Sequence, residues 1–305
     1  MKNLKYIILP ILLVGLYANN ITPIPLHVDD IDKSKARLGK KLFFDPILSR
    51  DGTVACVNCH LLELGGSDNL KFSIGIDGQL GSINSPTVLN SRYNFVQFWD
   101  GRAKNLKEQV EGPVENPVEM GHSFEKLVKK LKSTKYNKNF KKIYKDGITK
   151  ENIADAIAEY EKTLITPNAP FDKYLRGDKN AISKKAKRGY ELFKKEGCIA
   201  CHNGVNIGGN LYSKFGFFQE EHGDNLGRYN VTKNPEDKFV FKVPSLRNIE
   251  KTAPYLHDGR FETLKEVTQN MMNYQLGRIA KNEDIDSIVE FLKTLNGELI
   301  DFEQN

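Results

Sequence analysis

One tryptophan, four methionines and four cysteines are all that 305 residues hold of these types, so each has to be accounted for individually. Glycine (24) and proline (12) stay at ordinary levels and 28% of residues are charged, which excludes a collagen-like or low-complexity chain. Neither sign of charge dominates. Lys and Arg number 45 against 39 Asp and Glu, a net +6. Loss of Lys2 and Lys5 with a leader reduces it to about +4. A balance that small argues against nucleic acid as a partner. No alternation of apolar and polar residues repeats at strand length, and beyond residue 17 no run is apolar enough to cross a bilayer. An ordinary globular protein is left, and at ~100 to 200 residues per domain its length predicts two domains.

The first 18 residues are different. Lys2 and Lys5 form a positive start, Tyr6 to Tyr17 is an apolar run broken only by Pro10 and Gly15, and Ala18 offers a small residue for cleavage. This predicts an export signal over 1–18 and a periplasmic mature protein. The run falls short of the roughly 20 residues a membrane span needs. No cysteine follows it, which excludes a lipoprotein anchor there.

In an exported chain four cysteines ordinarily suggest two disulfides. Their spacing indicates something else: Cys56-Val57-Asn58-Cys59-His60 and Cys198-Ile199-Ala200-Cys201-His202 are both C-x-x-C-H. In that motif the two thiols add to the haem vinyl groups and the adjacent His ligates the iron. Zinc would want its His several residues away, and a thioredoxin-like site needs neither that His nor a second copy. Two covalently bound haem c groups are therefore expected.

A second haem implies a second haem-holding unit, and the flanks of the motifs repeat. Ala36, Gly39, Leu42 and Phe43 match Ala186, Gly189, Leu192 and Phe193 on what reads as a short amphipathic helix in each half. Downstream, Pro86, Asn90, Asp100, Gly101, Arg102, Leu106, Lys107 and Glu108 match Pro244, Asn248, Asp258, Gly259, Arg260, Leu264, Lys265 and Glu266. The fold expected is mainly α: two cytochrome c-like haem domains related by internal duplication, over residues 19–165 and 166–305, with long loops packed on the macrocycles. Ser123 can cap a helix carrying Phe124, Leu127, Val128 and Leu131 on one face. Ile153, Ile157, Tyr160 and Leu164 define another, and Ile285, Ile288, Val289 and Leu292 a last one.

The two copies differ where chemistry is decided. An electron-transfer haem generally takes Met as its sixth ligand. Met271 and Met272 follow the second copy's matched block, whereas Pro113 and Val114 occupy the equivalent positions in the first. The second haem can be closed and the first open; an open haem reacts and a closed one passes electrons. Trp99 stands opposite His257 in the alignment and reads either as core or as a group between redox centres. Beyond it the first copy carries Gln109, Glu119 and Met120 on what reads as a Pro-rich loop. A carboxylate beside an open iron is the group that moves a proton between peroxide oxygens.

Both C-x-x-C-H sites, Ser85 to Asn90, Phe98 to Arg102, Val118-Glu119-Met120, Lys242 to Asn248 and Pro254 to Gly259 together resemble the bacterial dihaem cytochrome c peroxidases, in the family's order and over nearly the whole mature chain. The resemblance implies reduction of hydrogen peroxide with electrons from a small periplasmic donor such as a monohaem cytochrome c, and a homodimer. It implies that His60 is the proximal ligand of the peroxidatic haem, with Gln109 and Glu119 on its distal side. His202 and Met271 would ligate the electron-transfer haem, since Met271 stands four residues before Gln275 as in the family's Met-x-x-x-Gln-Leu. Trp99 would lie between the haems. A Ca²⁺ would bridge the domains through the Asn84 side chain and the carbonyls of Thr252 and Pro254, although no acidic cluster announces it.

Many relatives carry a His that caps the resting peroxidatic iron; Ile76 stands there and cannot bind iron. His122 reads as an exposed loop residue, with a substitute cap as the other reading. Two other functions share these motifs. A pure electron carrier needs both irons closed or no distal acid. An enzyme oxidising a partner protein typically places a Tyr on the iron, and the nearest in sequence to Glu119 are Tyr93 and Tyr136.

Overall fold

The structure, a computed structural model, describes residues 20–219 and 223–304, so the leader expected over 1–18 lies outside the described residues. The first half contains α1 (Lys33–Phe43), α2 (Cys56–Cys59), α3 (Leu106–Glu115), α4 (Phe124–Lys132), α5 (Tyr136–Ile143) and α6 (Lys150–Glu161). The second contains α7 (Pro170–Leu175), α8 (Lys184–Lys195), α9 (Tyr229–Thr232), α10 (Leu264–Asn270) and α11 (Asn282–Lys293), and long loops join the helices in both. Local chemistry sets the helix starts: the side chains of Asp32, Ser123, Thr149 and Ser183 each accept a backbone N–H of the first turn that has no partner within the helix. Leu164 lies beyond the end of α6 yet is buried in the same core as Ile157 and Tyr160. One element was not foreseen. Strands β1 (Tyr212–Lys214) and β2 (Val240–Lys242) pair antiparallel with Ser213 opposite Phe241, and three residues are too few for alternation to be legible.

The duplication is visible as geometry. α1 crosses α6 so closely that a Cβ on Gly39 would lie 1.8 Å from the carbonyl oxygen of Ala156, and α8 crosses α11 so that a Cβ on the matched Gly189 would lie 1.8 Å from that of Ser287. Only glycine permits that backbone-to-backbone contact. Beside each crossing an aromatic pair meets, Phe43 with Tyr160 at 5.3 Å and Phe193 with Phe291 at 5.2 Å. Each crossing anchors its own core, one around Leu42, Leu127, Phe140 and Ile157, the other around Ala186, Ile288, Phe291 and Leu295. Complete burial of one such side chain contributes roughly 1.5–3 kcal/mol.

The halves are joined at Thr166. Asn90 and Asn248, matched by the repeat and both with left-handed backbone (φ 61° and 60°), each donate a side-chain N–H to the Thr166 hydroxyl oxygen, at 2.8 and 2.9 Å. The Asn90 side-chain oxygen in turn accepts from the Thr166 N–H and that of Asn248 from the Gly297 N–H. The two ends of the chain exchange cores: Ile21 packs in the second and Phe302 in the first. A fully buried pair, Arg247 with Asp172 at 2.6 Å, fixes the N-terminal strap, because Arg247 also donates to the Thr22 carbonyl and Asp172 accepts from the Ile24 N–H. Arg247 is answered at Nε, Nη1 and Nη2, while Asp172 Oδ2 is buried without a partner, so the pair offsets only part of the penalty of buried charge.

Candidate functional site

Both C-x-x-C-H motifs fold as a tight helical turn in which the His N–H bonds back to the first Cys carbonyl, His60 to Cys56 at 3.1 Å and His202 to Cys198 at 2.9 Å. This places the two thiols and the imidazole on one short element, and the four thiols are not bonded to one another. In the first motif the Asn58 side chain accepts the Ala55 N–H at 2.7 Å and holds the turn in place. The His60 Nδ1 lies 3.2 Å from the Gly66 carbonyl, so the proton belongs on Nδ1 and Nε2 is left as ligand. The carbonyls of Ile207 and Pro244 lie beside the His202 ring, but its Nδ1 forms no hydrogen bond of ordinary geometry. Burial lowers the pKa of both rings, that of His202 to about 4. Each is then a neutral imidazole, the form that binds iron. Burial also pushes the Cys59 and Cys198 thiols up, to about 11 and 12. The residues fit haem c in number and chemistry.

Cys198, Cys201, His202 and Met271 line one interior cavity. Met271 opens a single π-helical turn, Met271–Gln275, that continues α10. Met272 lines the same cavity but is buried in the second core with Ile288 and Leu292, whereas Met271 is only half-buried. Gln275 pins the turn by accepting from the Gly216 N–H and donating to the Lys214 carbonyl and the Ser213 hydroxyl. In the first half Met120 is buried in the core.

The distal residues foreseen on a loop are divided by the structure. Gln109 lies on α3, which tolerates Pro113 inside it, and only residues after Glu115 leave the helix. Asn116 then builds the turn that carries Glu119. Its side-chain N–H donates to Glu119 Oε1 at 2.6 Å, its side-chain oxygen accepts from Val118, and its carbonyl accepts from Glu119 and Gly121. Burial raises the pKa of the Glu119 carboxyl, opposed by the Asn116 hydrogen bond and the positive charge of Arg102. Asn116 was missed in the sequence, where Asn116-Pro117 was the available turn signal.

The 73–81 loop clamps this turn. The Ile76 N–H donates to the Glu119 carbonyl at 2.9 Å, Gln79 donates to the Pro117 carbonyl, and Arg50 pairs with Asp77. The Ile76 side chain is fully buried in the first core, against Gly121. His122 corrects an expectation: it is 7% exposed rather than solvated, and its Nδ1 has no hydrogen-bond partner. The 114–122 stretch folds back on α3, with the His122 N–H donating to the Val114 carbonyl, and this takes the ring out of water.

Trp99 spans the halves. Its indole N–H donates to the Asn84 carbonyl at 2.9 Å, its ring meets His257 edge-on at 6.1 Å, and its carbonyl accepts from Lys242. Asn84, Thr252 and Pro254 line the same cavity as the second motif. Amide and carbonyl oxygens are donors that Ca²⁺ accepts.

The family model for di-haem cytochrome c peroxidase matches residues 33–180, and that for cytochrome c matches 186–296. The chain is 50% identical to the cytochrome c551 peroxidase of Nitrosomonas europaea, over 88% of this chain and 81% of that one. It belongs to the dihaem cytochrome c peroxidase family. Against cytochrome c peroxidase Ccp of Escherichia coli the identity is 47%, over 91% of this chain and 61% of the relative. The crystal structure of a MauG-like protein associated with microbial copper homeostasis shares the fold, with a TM-score of 0.77 over 94% of this chain and 95% of that one, at 24% identity. As a family member the protein is a dihaem c-type cytochrome and a haem-dependent oxidoreductase.

Proposed function

We propose that the protein reduces hydrogen peroxide in the periplasm, peroxide plus two protons and two electrons giving two waters, with a small cytochrome c or similar donor supplying the electrons. The observation that carries this reading is the asymmetry of the halves. Met271 faces the cavity of the second motif, whereas the first half buries its own thioether, Met120, and carries a desolvated carboxyl on a braced turn. When bound, haem iron supplies the redox centre at which the O–O bond is cleaved. His60 holds the first haem, and His202 with Met271 the second. Glu119 takes the proton from the proximal peroxide oxygen and delivers it to the departing one, a transfer favoured when the carboxyl pKa is raised toward the working pH. Gln109 orients the peroxide, and Trp99 would lie between the haems. Ca²⁺ at Asn84, Thr252 and Pro254 would brace the junction, and a homodimer is the expected assembly. A division at 165/166 is supported by the convergence of Asn90 and Asn248 on Thr166.

Because Ile76 is committed to the core, that loop offers no side chain to cap a haem held by His60, and the oxidised protein would accept peroxide without prior reduction. Steady-state turnover of peroxide with reduced cytochrome c tests the function: an electron carrier or an oxidase of a partner protein would not sustain it. Spectra of the oxidised protein should show a high-spin first haem. A purely low-spin first haem with activity only after one-electron reduction would defeat the uncapped reading, and recovery in His122→Ala would identify His122 as the cap.

A further inference from the structure

Lys242 is a buried cation that the fold has left without a partner. It closes strand β2, is 5% exposed, lines the cavity shared by Cys198, His202 and Met271, and its ammonium makes no hydrogen bond or ion pair with any described residue. No described carboxylate acts on its charge, and the adjacent Phe241 ring is stacked on His257 at 4.2 Å. Burial pulls its pKa down to about 8. An isolated ammonium costs several kcal/mol to bury unless an anion answers it. The fold holds its backbone firmly, with Lys242 opposite Tyr212 in the strand pair and its N–H donating to the Trp99 carbonyl at 2.8 Å.

We propose that Lys242 is the counter-charge for a propionate of the second haem, raising that haem's potential and tying it through one hydrogen bond to Trp99. The inference rests on the second haem lying in the cavity between His202 and Met271. A carboxylate is the anion that haem brings with it, and of the two lysines that line the cavity beside the attaching thiols Lys242 is the buried one, Lys214 being exposed. A fixed positive charge favours the reduced haem, whose iron carries one positive charge less. Lys242 is thereby a positioning and tuning residue: it adjusts the donor side of electron transfer without touching peroxide.

The test is potentiometric titration of the dihaem protein with the two haems followed by their separate spectra. In Lys242→Met the equilibrium constant for reducing the second haem should fall about tenfold, equivalent to about 59 mV for one electron. Lys242→Arg should keep nearly the wild-type value. The thioether-to-iron band of Met271 shows in the same sample whether the second haem is in place. A retained band with unmoved potentials overturns the role of Lys242 and leaves the haem assignment standing, and so does a shift confined to the first haem. If Lys242→Met fails to load haem, resonance Raman of Lys242→Arg decides, because exchange of ammonium for guanidinium must change the propionate bending mode of the second haem. An unchanged mode overturns the proposal.

Discussion

The two halves start from one plan and end in different turns beyond the block they share. Each crosses two helices at a glycine, Gly39 and Gly189, and each presents two thiols and a half-buried imidazole on one turn. They part downstream of the matched block. The second half continues into α10 and a π-helical turn that brings a thioether to the cavity, and π-turns of this kind are often found at functional sites. The first half ends its helix at Glu115 and folds the following residues back on it, so that Asn116 holds Glu119 instead. A duplicated scaffold can thus keep its packing and change its reactivity by altering the end of one helix.

That contrast is tested most severely at Glu119. Glu119→Gln keeps the shape and removes the proton carrier, so peroxide turnover should fall by roughly 10² to 10⁴-fold while the spectrum of the second haem stays unchanged. Turnover near wild type would remove Glu119 from the proton step. The counterpart is Met271→Ala, which should abolish the thioether-to-iron band and lower the second haem's potential. Met272→Ala should keep the band and cost about 2–5 kcal/mol of stability, because that side chain is core. A band lost with Met272 and kept without Met271 reverses the assignment.

The shared plan can be tested by overpacking. Gly39→Ala and Gly189→Ala each force a methyl group against a helix carbonyl, and each should lower stability by about 1–3 kcal/mol, read as a fall in Tm of the loaded protein. A variant as stable as the parent would show that its half does not need the close crossing. The smallest effect concerns Asn116, whose hydrogen bond favours the charged form of Glu119 and so lowers its pKa. Removing it in Asn116→Ala should raise that pKa. Glu119 must begin deprotonated, so activity is lost as pH falls through its pKa, and the acid limb of kcat/KM should move to higher pH. A limb that stays in place separates Asn116 from the proton step.

The sequence by itself determined what depends on spacing. Two C-x-x-C-H motifs, the repeated Ala-x-x-Gly-x-x-Leu-Phe helix and the absence of a thioether matching Met271 are read directly, because attachment and helix crossing need particular atoms at fixed intervals. The helix cap at Ser123 was equally local. The tertiary structure decided what depends on remote chain. Gln109 is helical because Pro113 is tolerated within α3, and His122 is buried because residues 114–122 fold back on that helix. The exchange of Ile21 and Phe302 between cores joins positions at opposite ends of the chain, so no local pattern announces it. Lys242 reads as an ordinary loop lysine until the cavity closes around it. Desolvation is a property of everything that packs over a group, and that sum is set only by the assembled fold.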